Sequence, residues 1–196
     1  MIAYLKGVLV QKNPAFVLVE TSGGVAYRVF ISLNTYSKLP TVDGAVRLFT
    51  YFQVKEDAHT LYGFADEDER ELFEHLISVS GIGSSTAQMM LSALQPNEIR
   101  QAIVQENESL IKSIKGIGVK TAKLLILQLK DKLAKTTVAV DLPVVGHNNL
   151  RDEALNALLA LGIAKPMAQK ALNKVLTTNP NIGSIEALIK QALQVL

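Results

Sequence analysis

Cysteine is missing from this 196-residue chain, which excludes disulfide staples and zinc sites built on thiolates. Histidine is scarce: His59, His75 and His147 stand at no spacing that a metal site uses. No apolar run is long enough to span a bilayer, since Leu124-Leu125-Ile126-Leu127 sits among lysines and glutamine. The start, Met1-Ile2-Ala3-Tyr4-Leu5-Lys6, lacks the basic-then-apolar plan of a secretory signal, so a soluble cytoplasmic protein is expected. A Gly-x-x-x-x-Gly-Lys-Ser/Thr phosphate loop is missing, and no serine sits in a nucleophile elbow. Asp66-Glu67-Asp68-Glu69 is contiguous, which suits a helix start better than the converging carboxylates of a two-metal nuclease. Neither catalysis nor a cofactor nor a metal is expected.

What is present is a phrase said twice. Ser80-Gly81-Ile82-Gly83-Ser84-Ser85-Thr86-Ala87 recurs as Lys115-Gly116-Ile117-Gly118-Val119-Lys120-Thr121-Ala122. Each copy lies between apolar segments and reads as helix, Gly-x-Gly hairpin, helix. The second helix of each pair starts with unpaired N–H groups, and its dipole favours an anion there. A single copy is as well explained by glycines that cap packed helices. Two copies at short spacing suggest a paired grip on neighbouring phosphates of a nucleic acid.

Charge supports that reading. The net charge of +2 is divided along the chain. Residues 66–99 carry seven acids against Arg70, whereas residues 100–135 carry eight bases against three acids. Such asymmetry points to one face that meets an anion and another that does not. With 48% hydrophobic residues the chain has ample material for a packed core.

Residues 1–64 read as strands: Ile2–Val10, Phe16–Thr21, Val25–Ser32, Val46–Val54 and His59–Gly63 are short and rich in β-branched or aromatic residues. Five strands suit a small closed barrel of the OB type. Residues 65–135 turn helical, with Pro96 breaking the pattern and the longest helix running from Val119 to about Leu133. Its polar side carries Lys120, Lys123 and Lys130. Residues 136–149 show no helical period and read as a linker. Residues 150–196 form three short helices, with Gly162 ending the first, Pro166 opening the second and Ser184 capping the third. A unit of that size on a tether suits docking. Within Val54-Lys55-Glu56-Asp57-Ala58-His59, Glu56 and Asp57 sit at a turn between strands. They are either a polar hairpin tip or, beside nucleic acid, carboxylates that repel phosphate and define where a backbone does not lie.

Together these parts resemble the RuvA family of bacterial Holliday-junction-binding proteins. The resemblance covers the whole chain in order, from the barrel with Leu61-Tyr62-Gly63-Phe64 at its exit through both hairpins to the three-helix, UBA-like tail. Its most specific stretch is Lys115–Ala122 continuing to Gln128-Leu129-Lys130-Asp131. The resemblance implies a homotetramer that binds four-way junction DNA without acting as an enzyme. Backbone N–H groups at Gly81, Gly83, Gly116 and Gly118 would meet phosphates, with Lys120 and Lys123 adding charge. Glu56 and Asp57 would form the family's acidic pin. The tail would bind the hexameric RuvB ATPase, with Leu158 and Leu161 either contributing to docking or both simply packed in its core, while the RuvC resolvase acts on the same junction. The chain departs from the family where a basic residue commonly follows the first hairpin: it has Ser84-Ser85, with Ser85 as the candidate contact. Two other readings remain open, a generic duplex-DNA-binding scaffold and a magnesium-dependent nuclease using Glu56 and Asp57.

Overall fold

A computed structural model describes residues 2–137, 148–179 and 182–195, arranged as two compact units, 1–140 and 141–196. The first unit begins with β1 (Tyr4–Lys12), β2 (Phe16–Glu20), β3 (Ala26–Ile31), β4 (Ala45–Val54) and β5 (His59–Phe64), closed into a barrel in the order β1-β2-β3-β5-β4. Neighbours pair antiparallel except β3 and β5, which run parallel and register at Phe30 with Tyr62 and Ile31 with Gly63. Alternation supplies the barrel core: Leu5 and Leu9, Val17 and Val19, Val29 and Ile31, and Val46 and Leu48 point inward. Each such fully buried side chain stabilises the fold by about 1.5–3 kcal/mol.

A short helix, α1 (Leu33–Lys38), follows β3 where no helix was expected. Ser32, expected as the last strand residue, is its N-cap, and the Ser32 hydroxyl accepts from the Thr35 N–H at 3.0 Å. Six residues carry too little helical period to be read from sequence. Tertiary contacts hold α1 in place: Asn34 donates to the Leu91 and Leu94 carbonyls and accepts from the Gln95 amide.

The helical half comprises α2 (Glu67–Ile77), α3 (Ser84–Ala93), α4 (Pro96–Val104), α5 (Glu108–Ser113) and α6 (Val119–Thr137). Leu72, Phe73, Leu76, Met90, Leu91, Ile103, Leu125 and Leu129 are wholly buried in its core. Phe64, the last residue of β5, joins this core, and its ring lies 5.0 Å from Phe73. Arg100 of α4 pairs with the Asp68 carboxylate and donates to the Asp68 carbonyl at 3.1 Å, tying α4 to the start of α2.

The second unit holds α7 (Asn148–Ala160), α8 (Lys165–Thr178) and α9 (Ile185–Val195). Gly162, at φ +85°, ends α7: its N–H bonds the Leu159 carbonyl and the Ile163 N–H bonds that of Leu158. The Ser184 hydroxyl accepts from the Ala187 N–H at 3.3 Å, as the capping reading required. Of the expected linker, residues 138–147 lie outside the described residues. Its two ends are helical, since α6 runs to Thr137 and α7 starts at Asn148.

Candidate nucleic-acid interface

The two glycine hairpins fold alike. In the first, the Ile82 N–H reaches the Val79 carbonyl at 3.0 Å across Ser80-Gly81, with Gly81 at φ +89°. In the second, the Ile117 N–H reaches the Ile114 carbonyl at 3.2 Å across Lys115-Gly116, with Gly116 at φ +90°. A tight turn with positive φ at its third residue wants glycine there. Val79, Ile82, Ile114 and Ile117 are buried and pin each turn to the core, leaving its glycines exposed.

Gly83 and Gly118 then take the position just before a helix, and their carbonyls accept from the Ala87 and Ala122 N–H groups at 2.9 Å. Gly83 has an ordinary φ of −87°. A Cβ at either position would meet nothing within 4 Å. Packing within the chain therefore gives no reason for glycine at Gly83 and Gly118, whereas a ligand that must approach the backbone closely does. The first-turn N–H groups of α3 and α6 have no acceptor within their helices. The two turns are also neighbours, since a Cβ on Gly81 would stand 3.8 Å from Oγ1 of Thr121 in the first turn of α6. The fold thus brings both copies together.

Lys120 and Lys123 are exposed on α6, and neither is ion-paired among the described residues. Lys130, on the same helix, differs: it pairs with Glu106, whose hydrogen bond and charge raise the lysine pKa above its usual value. Ser85 is exposed, but it borders an apolar groove with Phe30, Leu33, Tyr62 and Met89. Ser84 is buried and its hydroxyl has no hydrogen-bond partner among the described residues. Glu56 and Asp57 project from the β4–β5 tip, where the Lys55 N–H closes onto the Ala58 carbonyl at 2.9 Å. No cluster of three or more potential metal ligands exists among the described residues.

One expectation is corrected. Leu158 does not face outward: it is wholly buried, packed in a core with Ala154, Leu172 and Leu188. Alanines at 154, 168, 171 and 192 draw the three helices close, and that narrow core takes Leu158 in. Leu161 is 63% exposed. The sequence reading also missed the groove, whose Leu33 is 49% and Met89 40% exposed. Period identifies an apolar stripe, but it cannot show that part of the stripe is left uncovered.

Comparison with known proteins covers the chain almost end to end. Residues 1–63 match the model for the RuvA N terminal domain, 73–131 that for the SAM-like helix-hairpin-helix tandem, and 149–196 that for the RuvA C-terminal domain. The Holliday junction branch migration complex subunit RuvA of Christiangramia forsetii is 48% identical over 194 residues, 99% of each chain. Its counterpart from Cytophaga hutchinsonii is 46% identical over 199 residues, again 99% of each. That of Bacteroides fragilis is 42% identical over 203 residues, with the same coverage.

Proposed function

The chain belongs to the RuvA family, and from that membership we propose that it binds four-way DNA junctions and serves branch migration as a non-catalytic subunit. The observation that carries this reading is the pair of adjoining hairpins, each with a glycine that packing within the chain does not require. Gly81, Gly83, Gly116 and Gly118 bring backbone N–H groups to two phosphates, and Lys120 and Lys123 add charge beside the second. Ser85 donates a hydroxyl at the first. Contacts of this kind position DNA without reading bases, so binding is sequence-tolerant and falls steeply with salt.

The exposed Glu56-Asp57 tip supports a second element, a negatively charged pin that keeps phosphates off the junction centre. It requires several copies around one junction. A homotetramer supplies them, matching the four arms, and the apolar groove at Phe30, Leu33 and Met89 provides a surface for self-association. Residues 1–64 serve as barrel, 65–135 as DNA-binding domain and 150–196 as the docking domain for the RuvB ATPase, which supplies the motor through contacts that include Leu161. The RuvC resolvase acts on the same junction. This work belongs in the cytoplasm, and no described helix is long and apolar enough to cross a membrane.

A gel-shift titration of a synthetic four-way junction against linear duplex, with competitor DNA present, tests the proposal. The expected result is a strong preference for the junction. Glu56→Gln/Asp57→Asn should lose discrimination against duplex while keeping affinity. Equal binding of both DNAs by the natural chain would sink the junction reading and leave a generic duplex-binding module.

A further inference from the structure

The outer face of the barrel carries a second patch with the chemistry of a nucleic-acid contact, far from the hairpins in sequence. Strands β1 and β4 pair Tyr4 opposite Phe49 and Lys6 opposite Arg47. All four residues are at least partly exposed, with Tyr4 at 52%. The Arg47 guanidinium lies over both rings, 4.5 Å from the Tyr4 centroid and 5.1 Å from that of Phe49. Two like charges directly opposite each other in a sheet destabilise it. Neither Lys6 nor Arg47 has an ion-pair partner among the described residues. The nearest acid in register, Glu20, stands opposite Val8, one pair further along the face.

We propose that this Tyr4–Lys6–Arg47–Phe49 patch binds an unpaired nucleotide of single-stranded DNA, with a base stacked on the Tyr4–Arg47 platform and its phosphate held by Lys6. The repulsion between the two cations is what an anion relieves. The planar guanidinium, already fixed over rings, offers a flat cationic face at small entropic cost. Stacking faces distinguish the ligand: in duplex DNA each base is covered above and below, so only an unpaired base can present its face. On β4 the patch lies seven to nine residues before the Glu56 tip, about 25–30 Å along an extended strand. An acidic end that excludes phosphate and a basic, aromatic end that attracts it thus share one strand. The assignment draws on the DNA-binding reading above but uses none of the hairpin residues.

The test measures fluorescence anisotropy of labelled oligothymidylate, of an abasic oligomer of equal length and of a fully paired four-way junction, using the full-length chain. Arg47→Gln and Tyr4→Ala should each weaken oligothymidylate binding about 5-fold or more, leaving the paired junction unaffected, while Tyr4→Phe retains binding. Lys120→Ala/Lys123→Ala should do the reverse, which separates failure of this patch from failure of the hairpins. Unchanged oligothymidylate affinity in both patch variants overturns the proposal. So does an equal loss on the abasic oligomer, which would mean phosphate contacts alone. A change in sedimentation of the Tyr4→Ala chain also overturns it, assigning the face to a second copy of the protein.

Discussion

Glu69 is a carboxylate removed from water, 1% exposed at the start of α2. The Ser32 and Thr35 hydroxyls both donate to it, the latter at 2.8 Å, and the Thr35 hydroxyl in turn accepts from the Ala65 N–H at 3.1 Å. It thereby ties α1, at the barrel, to the first helix of the helical half. Burial pushes its carboxyl above the usual 4.5, with the Ser32 and Thr35 hydrogen bonds and the Lys38 charge pulling it back and Asp66 adding to the rise. The folded chain therefore holds this proton more tightly than the unfolded one. The stability this residue contributes is fullest in acid and falls as pH rises from 4.5 through the folded value. Glu69→Gln keeps the shape and removes the titration. Urea midpoints of the variant and the natural chain, taken between pH 4.5 and neutrality, should diverge in favour of the variant as pH rises. A difference that does not change with pH would refute the argument. Nothing in Asp66-Glu67-Asp68-Glu69 marks the last residue as buried. Its partners arrive from more than thirty residues away, on a helix too short to be read.

At the scale of elements, the two hairpins separate glycines that the backbone needs from glycines that packing within the chain does not require. Gly116→Ala forces a side chain into the left-handed region and should lower stability by about 1–2 kcal/mol, seen as a lower Tm. Gly83→Ala/Gly118→Ala should fold almost unaffected, because the reduced freedom of the unfolded chain offsets a poorer cap. Its affinity for junction DNA should nevertheless drop about 10-fold or more, through loss of charge-assisted hydrogen bonds from the backbone. If this double variant binds as well as the natural chain, phosphates do not approach those positions. The repeat itself was legible because Gly-Ile-Gly stands out against apolar flanks, and the strands were legible because alternation survives in a small barrel. Less visible was which lysine is free. Lys120, Lys123 and Lys130 share the polar side of one helix, yet only contact with Glu106, from the turn after α4, removes Lys130 from the set.

The molecule presents a groove whose apolar lining is left partly uncovered among the described residues. Phe30 packs on Phe16 and Tyr62 yet remains 38% exposed, beside Leu33 and Met89. If copies meet there, Met89→Glu and Leu33→Asp should each shift sedimentation toward smaller species while far-UV circular dichroism stays unchanged. Natural sedimentation in both variants would place the subunit contact elsewhere. The sequence could not reveal this surface, because a side chain awaiting another copy and one buried in its own core have the same spacing along a helix. The second unit posed the same difficulty: Leu158 and Leu161 are three residues apart, and only the Gly162 turn and the alanine-lined core separate an inside from an outside.

The closed barrel bears on how such copies join. Each strand has a hydrogen-bonded neighbour on both sides, so no strand of the barrel is an open edge along its whole length. Among the described residues the barrel thus offers poor ground for strand addition, or for the fibrous templating that a fully open edge invites. If copies of the chain associate, packing of side chains, as in the apolar groove, is then the expected basis of their contact. A single charge placed in that groove should part any copies that meet there and leave each chain folded.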